Sequence, residues 1–196
     1  GFRPFLIHRL DRDTAGCIAV ASNPGAASRY SGILADRSAT EKVYRALVRG
    51  IPDASSGVIR DEIRTPSGPR RAETRWRLLA SGSGFSLLEL ELGTGRMHQI
   101  RIHLSGRGLP ILGDDRHGDF TLNRRLARDH GLRHLALYAA RLVLAAESVV
   151  RAEAPPPLHL RAFLDSIGDG GLKAALLGPA DSRGIPTVRR PNGAGP

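Results

Sequence analysis

A single cysteine in 196 residues excludes a disulfide framework and any thiolate zinc site. Cys17 lies inside the apolar run Cys17-Ile18-Ala19-Val20-Ala21 and reads as a small core residue of a buried strand. No stretch approaches the ~20 apolar residues of a membrane-spanning helix. The opening residues, Gly1-Phe2-Arg3-Pro4, carry no apolar segment of a secretory leader. The expected compartment is therefore reducing and aqueous, the cytoplasm, with no membrane partner. Lysine is nearly missing, present only at Lys42 and Lys173, yet the net charge is +10. Arginine carries that charge. A cationic surface of this size points to a polyanion, and nucleic acid is the usual one. The hydrophobic content of 41% excludes a polar tail and suits one folded domain with its own core. There is no internal repeat.

One acid stands out in Ile7–Gly16, which runs I-H-R-L-D-R-D-T-A-G. Asp11 follows Arg9 by two residues and precedes Arg12, Asp13 and a Thr-Ala-Gly turn. A nearby cation keeps a partly buried acid ionised. A loop that opens onto a strand is where reactive groups are commonly held. Read alone, the same residues also suit an ordinary surface ion pair between Arg9 and Asp11.

Along the chain, Asn23–Asp36 has helical spacing, with Asn23 or Ser22 as cap and Pro24 in the first turn. Lys42–Arg49, Ala72–Leu79 and Phe85–Leu92 read as strands, Val58–Ile63 as a shorter one, and Pro66–Pro69 as a turn. Leu122–Arg128 reads as a short helix and Leu158–Ile167 as an amphipathic one. Leu135–Ala145 is apolar enough for a strand or a buried helix, and periodicity does not decide. Residues 168–196 read as a Gly/Pro/Arg-rich disordered tail, most clearly from Gly178 onward, able to touch RNA backbone non-specifically.

The second basic segment, Gly95–His103, follows a glycine-broken strand end and is expected to open a helix at Arg96. A helix start behind a glycine turn is a natural phosphate site, so Arg96, His98 and Gln99 are candidate RNA-binding residues. His98 and His103 lack the pattern of a metal pair and stand among arginines that repel a cation. Tyr44, within a strand, is a core aromatic or a stacking platform for a base. Asp114, Asp115, His117 and Asp119 read as a hydrogen-bonded structural loop with Arg116 in their midst.

Four segments in this order resemble the RluA family of pseudouridine synthases, closest to its RluC-type members of the large ribosomal subunit. His8-Arg9-Leu10-Asp11-Arg12-Asp13-Thr14-Ala15-Gly16 resembles its H-R-L-D-x-x-T-S-G box. Lys42–Gly50 resembles K-x-Y-x-A-x-V-x-G, and Thr94–Leu104 resembles T-G-R-T-H-Q-I-R-x-H. Pro110–Asp119 resembles P-I-x-G-D-x-x-Y-G, with His117 where the family has Tyr. The resemblance covers residues 5–165. It implies isomerisation of uridine to pseudouridine in ribosomal RNA by a monomer, with no cofactor and no metal. It implies that Asp11 is the nucleophile and that Arg101 pairs with its carboxylate. It further implies that Tyr44 stacks on the target base and assists proton removal, and that Arg9 holds the extruded nucleotide. The fold it implies is α+β, a mixed, mainly antiparallel sheet with a central cleft. Residues 1–167 would be the catalytic domain, without the N-terminal strands and the S4 RNA-binding domain of many members. Two competing readings are a non-catalytic RNA-binding or ribosome-assembly module with the same fold, and a metal-dependent hydrolase built on His98 and His103.

Overall fold

The computed structural model describes residues 3–178. Its elements run β1 (Phe5–Leu6), β2 (Ala15–Gly16), β3 (Val20–Ala21), α1 (Pro24–Ala35), β4 (Thr40–Arg49), β5 (Ser56–Ile59), β6 (Glu62–Thr65), β7 (Gly68–Arg71), β8 (Thr74–Gly82) and β9 (Phe85–Leu92). There follow α2 (Gln99–Gly106), α3 (Phe120–Asp129), β10 (Leu137–Ala145), β11 (Val149–Glu153), α4 (Leu158–Ser166) and α5 (Gly170–Leu177). Six strands form an antiparallel path in the order β11-β10-β4-β9-β8-β5, and β2 lies parallel on β10. β1 with β3, and β6 with β7, are separate two-stranded pairs. This is the mixed, mainly antiparallel α+β architecture expected.

Strand period sorts the two faces of this sheet. Lys42 and Tyr44 of β4, Leu92 of β9 and Leu137 of β10 line one common cavity. Arg45 is on the other face, where it bonds Glu89, its cross-strand partner on β9, at 3.2 Å. Arg77 of β8 joins the same carboxylate at 2.6 Å. All three groups are largely buried, a costly arrangement unless every charge is engaged. Arg45 Nη1 completes it by donating to the carbonyls of Leu176 and Gly178 at 3.1 and 2.9 Å. That places a cation at the C-terminal end of α5, where the helix dipole favours it.

α5 revises the expected boundary at residue 168. Asp169 caps it, accepting from the amide of Leu172 at 2.9 Å, and Leu172 and Leu176 are fully buried beside α4 and β8. Residues 168–178 are thus part of the folded domain, with Leu172 and Leu176 in its core. The expected disordered segment beyond Gly178 lies outside the described residues.

Other expectations need smaller revision. α1 begins as expected, with Asn23 Oδ1 accepting from the amide of Ala26 at 2.8 Å and Pro24 next to the cap. Leu135–Ala145 resolves to a strand because its backbone pairs on both sides, with β4 and β11. Val58–Ile63 is not one strand, since it breaks at Arg60-Asp61 between β5 and β6. The run Cys17–Ala21 is not a buried strand either. Cys17 and Ala21 are buried, whereas Ile18 and Val20 are about half exposed, at 49% and 48%. Only its last two residues pair, and they pair with β1.

Candidate active site

A cavity of about 430 Å³ opens on the face of the sheet that carries Tyr44. That volume is in the range of small-molecule clefts. Its walls include His8, Arg9, Asp11, Lys42, Tyr44 and Arg96. Among the described residues lining it, Asp11 is the one acid, facing Arg9, Lys42 and Arg96.

The loop bearing Asp11 is pinned at both ends. The amide of Thr14 donates to the Asp11 carbonyl at 2.9 Å, closing a turn over Arg12 and Asp13. Beyond the turn, β2 pairs with β10, and the amide of Cys17 donates to Ala139 at 2.9 Å. Gly16 makes this possible. Its φ is +111°, and a Cβ there would sit 2.2 Å from the Ala139 carbonyl oxygen. On the other side, the amide of Ala19 donates to His8 Nε2 at 2.8 Å. His8 must therefore be neutral at that nitrogen. Burial, aided by the nearby Lys42, holds its pKa below the usual imidazole value.

Tyr44 is pushed up to about 12, chiefly by burial and then by the charge of Asp11. Its hydroxyl is consequently protonated throughout the neutral range. Tyr44 has a flat face that can stack and a hydroxyl that can donate. Lys42 precedes it by two residues, so the two share a strand face. Burial lowers the Lys42 pKa, and its ammonium donates to the Leu34 carbonyl at 3.4 Å.

The segment 94–103 departs most from expectation. α2 starts at Gln99, not at Arg96, with His98 at φ +54° just before it. The Gln99 side chain sets this start. Its Oε1 accepts from Thr94 Oγ1 at 2.6 Å and from the amide of Arg96 at 3.0 Å. Its Nε2 donates to the Glu73 carbonyl at 2.8 Å and to Thr74 Oγ1 at 3.0 Å. Gln99 is on the cavity wall but only 2% exposed, and its side-chain oxygen and nitrogen each make two internal contacts, so it shapes the loop. His98 is not on the cavity wall; its Nδ1 lies 3.3 Å from His117 Nε2. Arg96, outside the helix on the loop that Gln99 holds, faces the cavity.

Arg101 does not pair with Asp11. The late helix start turns Arg101 inward, where it is 3% exposed. It grips Asp114 with Nε and Nη2 at 2.8 and 2.6 Å and reaches Asp115 at 2.9 Å. Burial alone would raise the Asp114 carboxyl. The hydrogen bonds from Arg101 and from the amides of His117 and Arg116 outweigh it and hold the carboxyl below its usual value. The Asp114–Asp119 loop is thus the hydrogen-bonded structural loop that its sequence suggested, anchored by Arg101. Among the described residues Asp11 has no ion-pair partner, and Arg9 and Arg96 have none either. Lys42 is the cavity cation that sequence reading did not single out, although its position two residues before Tyr44 was the available signal.

The chain is similar to known proteins. The family model for RNA pseudouridylate synthase matches residues 1–106. An uncharacterized RNA pseudouridine synthase of Zymomonas mobilis is 35% identical over 84% of this chain and 78% of its own length. The ribosomal large subunit pseudouridine synthase C of Vibrio cholerae is 34% identical over 81% of this chain, which spans 54% of that protein. Among solved structures, the human RNA pseudouridylate synthase domain-containing protein 4 aligns with a TM-score of 0.74 at 26% identity, over 84% of this chain and 76% of that one.

Two outcomes follow from the geometry. Arg101→Gln leaves the Asp114 carboxylate buried without its partner, and the cost of breaking such a pair is about 3–5 kcal/mol. Denaturant unfolding should show that loss; unchanged stability would contradict the buried grip. His8 should titrate below 6.5, its ordinary value. Because the folded pKa is depressed, the tie to Ala19 is complete above that value and is lost as pH falls through the lower, folded one. In an NMR titration the Ala19 amide should shift together with the His8 ring. A His8 midpoint at or above the ordinary value would contradict the acceptor role.

Proposed function

The chain belongs to the RNA pseudouridylate synthase family, and on that premise we propose that it isomerises uridine to pseudouridine in large-subunit ribosomal RNA with Asp11 as nucleophile. The observation that carries this reading is the lone acid in the cavity, facing three cations with Tyr44 beside it. A binding module gains nothing from an unpaired carboxylate in a cleft meant for a polyanion, because that charge repels phosphate.

The reaction breaks the C1′–N1 bond, joins C1′ to C5, and moves a proton from C5 while N1 gains one. An RNA uridine must first leave its stack, at a cost of a few kcal/mol. The cavity then offers three things to the extruded nucleotide. Tyr44 presents a flat face and a protonated hydroxyl. Arg9 and Arg96 are open guanidiniums for phosphate or sugar oxygens. Asp11 offers a carboxylate held by its backbone alone, able to attack the sugar carbon or the base. In this reading Arg9 and Arg96, and not Arg101, are the arginines that share the cavity with the nucleophile. The Vibrio cholerae relative's ribosomal name supports the choice of substrate.

The test is incubation of the chain with unmodified large-subunit ribosomal RNA, followed by chemical mapping of pseudouridine, with transfer RNA as a parallel sample. One or a few modified uridines in the ribosomal RNA are expected. Tight binding with no pseudouridine formed would identify a non-catalytic assembly module, and modification of transfer RNA alone would overturn the substrate.

A further inference from the structure

A second cavity, of about 280 Å³, adjoins the first and shares Lys42, Leu92, Gly95 and Arg96 with it. Arg37 lines this second cavity and not the first, from the turn after α1. Three cations therefore converge on it, and no carboxylate is among its described lining residues. None of the three has an ion-pair partner among the described residues. Asp36, next to Arg37 in sequence, does not neutralise it. Its carboxylate accepts from the amide and hydroxyl of Ser38 at 2.8 and 2.7 Å, which fixes the turn and leaves Arg37 projecting. Lys42 makes only its long bond to Leu34. Three cations on a wall that carries no carboxylate repel one another, and an arriving anion relieves that repulsion. Three cations and no carboxylate line the cavity. It suits a phosphodiester.

We propose that this cavity holds the backbone phosphate next to the extruded nucleotide, with Arg37 as its dedicated contact and Lys42 and Arg96 bridging it to the catalytic cavity. The proposal rests on the RNA-modifying reading above. It makes Arg37 a binding residue that touches neither the base nor Asp11. Seating the neighbouring phosphate fixes the register of the strand, so the nucleotide beside it is the one directed at Asp11.

The probe is a uridine pentanucleotide, used with all its phosphodiesters and again with neutral methylphosphonates flanking the central residue. Anisotropy titrations compare the parent chain, Arg37→Ala and Arg125→Ala; Arg125 is exposed on α3 and lines neither cavity. The parent should bind the charged probe about tenfold more tightly than the neutral one, as one charge-assisted contact implies. Arg37→Ala should lose most of that preference and reduce the salt slope of binding by about one. Arg125→Ala should keep both. Equal binding of the two probes by the parent, or an unaltered preference in Arg37→Ala, would overturn the proposal. Pseudouridine formation on ribosomal RNA is read separately. Its absence alongside an intact Arg37-dependent preference would count against the isomerase reading and not against the phosphate site.

Discussion

Asp11 is a carboxylate set among cations and bonded to none of them within the described chain. That condition is what the rest of the structure maintains. A carboxylate locked in a bidentate pair has its lone pairs engaged and its attack weakened. One that is bonded to no cation keeps its oxygens available. Position must then come from the backbone. It does: a turn closed by Thr14, a parallel ladder laid on β10, and the imidazole of His8 that accepts from Ala19.

The buried ion pairs do the complementary work. Arg101 holds the Asp114 loop against α2, and Arg45 with Arg77 holds Glu89 beneath α5. These are fully engaged groups, and their role is to fix where elements sit. Gln99 does the same with neutral bonds, taking the amide of Arg96 and the hydroxyl of Thr94 and so deciding which arginine of the segment reaches the cavity. The buried arginines Arg45 and Arg101 are thus tied to carboxylates, whereas Arg9 and Arg96 on the cavity wall have no ion-pair partner among the described residues.

Much of this was legible in the chain. Alternation marked β4, β8 and β9, and the Asn-Pro start marked α1, because these signals are local. Asp11 and Tyr44 were legible as candidates and do share a cavity. The pairing of Arg101 was not. Arg96 and Arg101 are five residues apart, and their directions depend on where the helix begins, which a side chain making two local and two long-range bonds decides. α5 was hidden for a compositional reason. Glycines at 168, 170 and 171 resemble a tail, while the signal, Leu172 and Leu176 at one-turn spacing, is short and becomes a helix only by burial against β8.

The most direct test is Asp11→Asn, which keeps size and shape and removes the charge. Single-turnover isomerisation of the mapped ribosomal uridine should fall by several orders of magnitude, while affinity for the same RNA is retained or improves as a repulsive charge is lost. An Asn variant that forms pseudouridine at the parent's rate would contradict the assignment of Asp11 as the nucleophile.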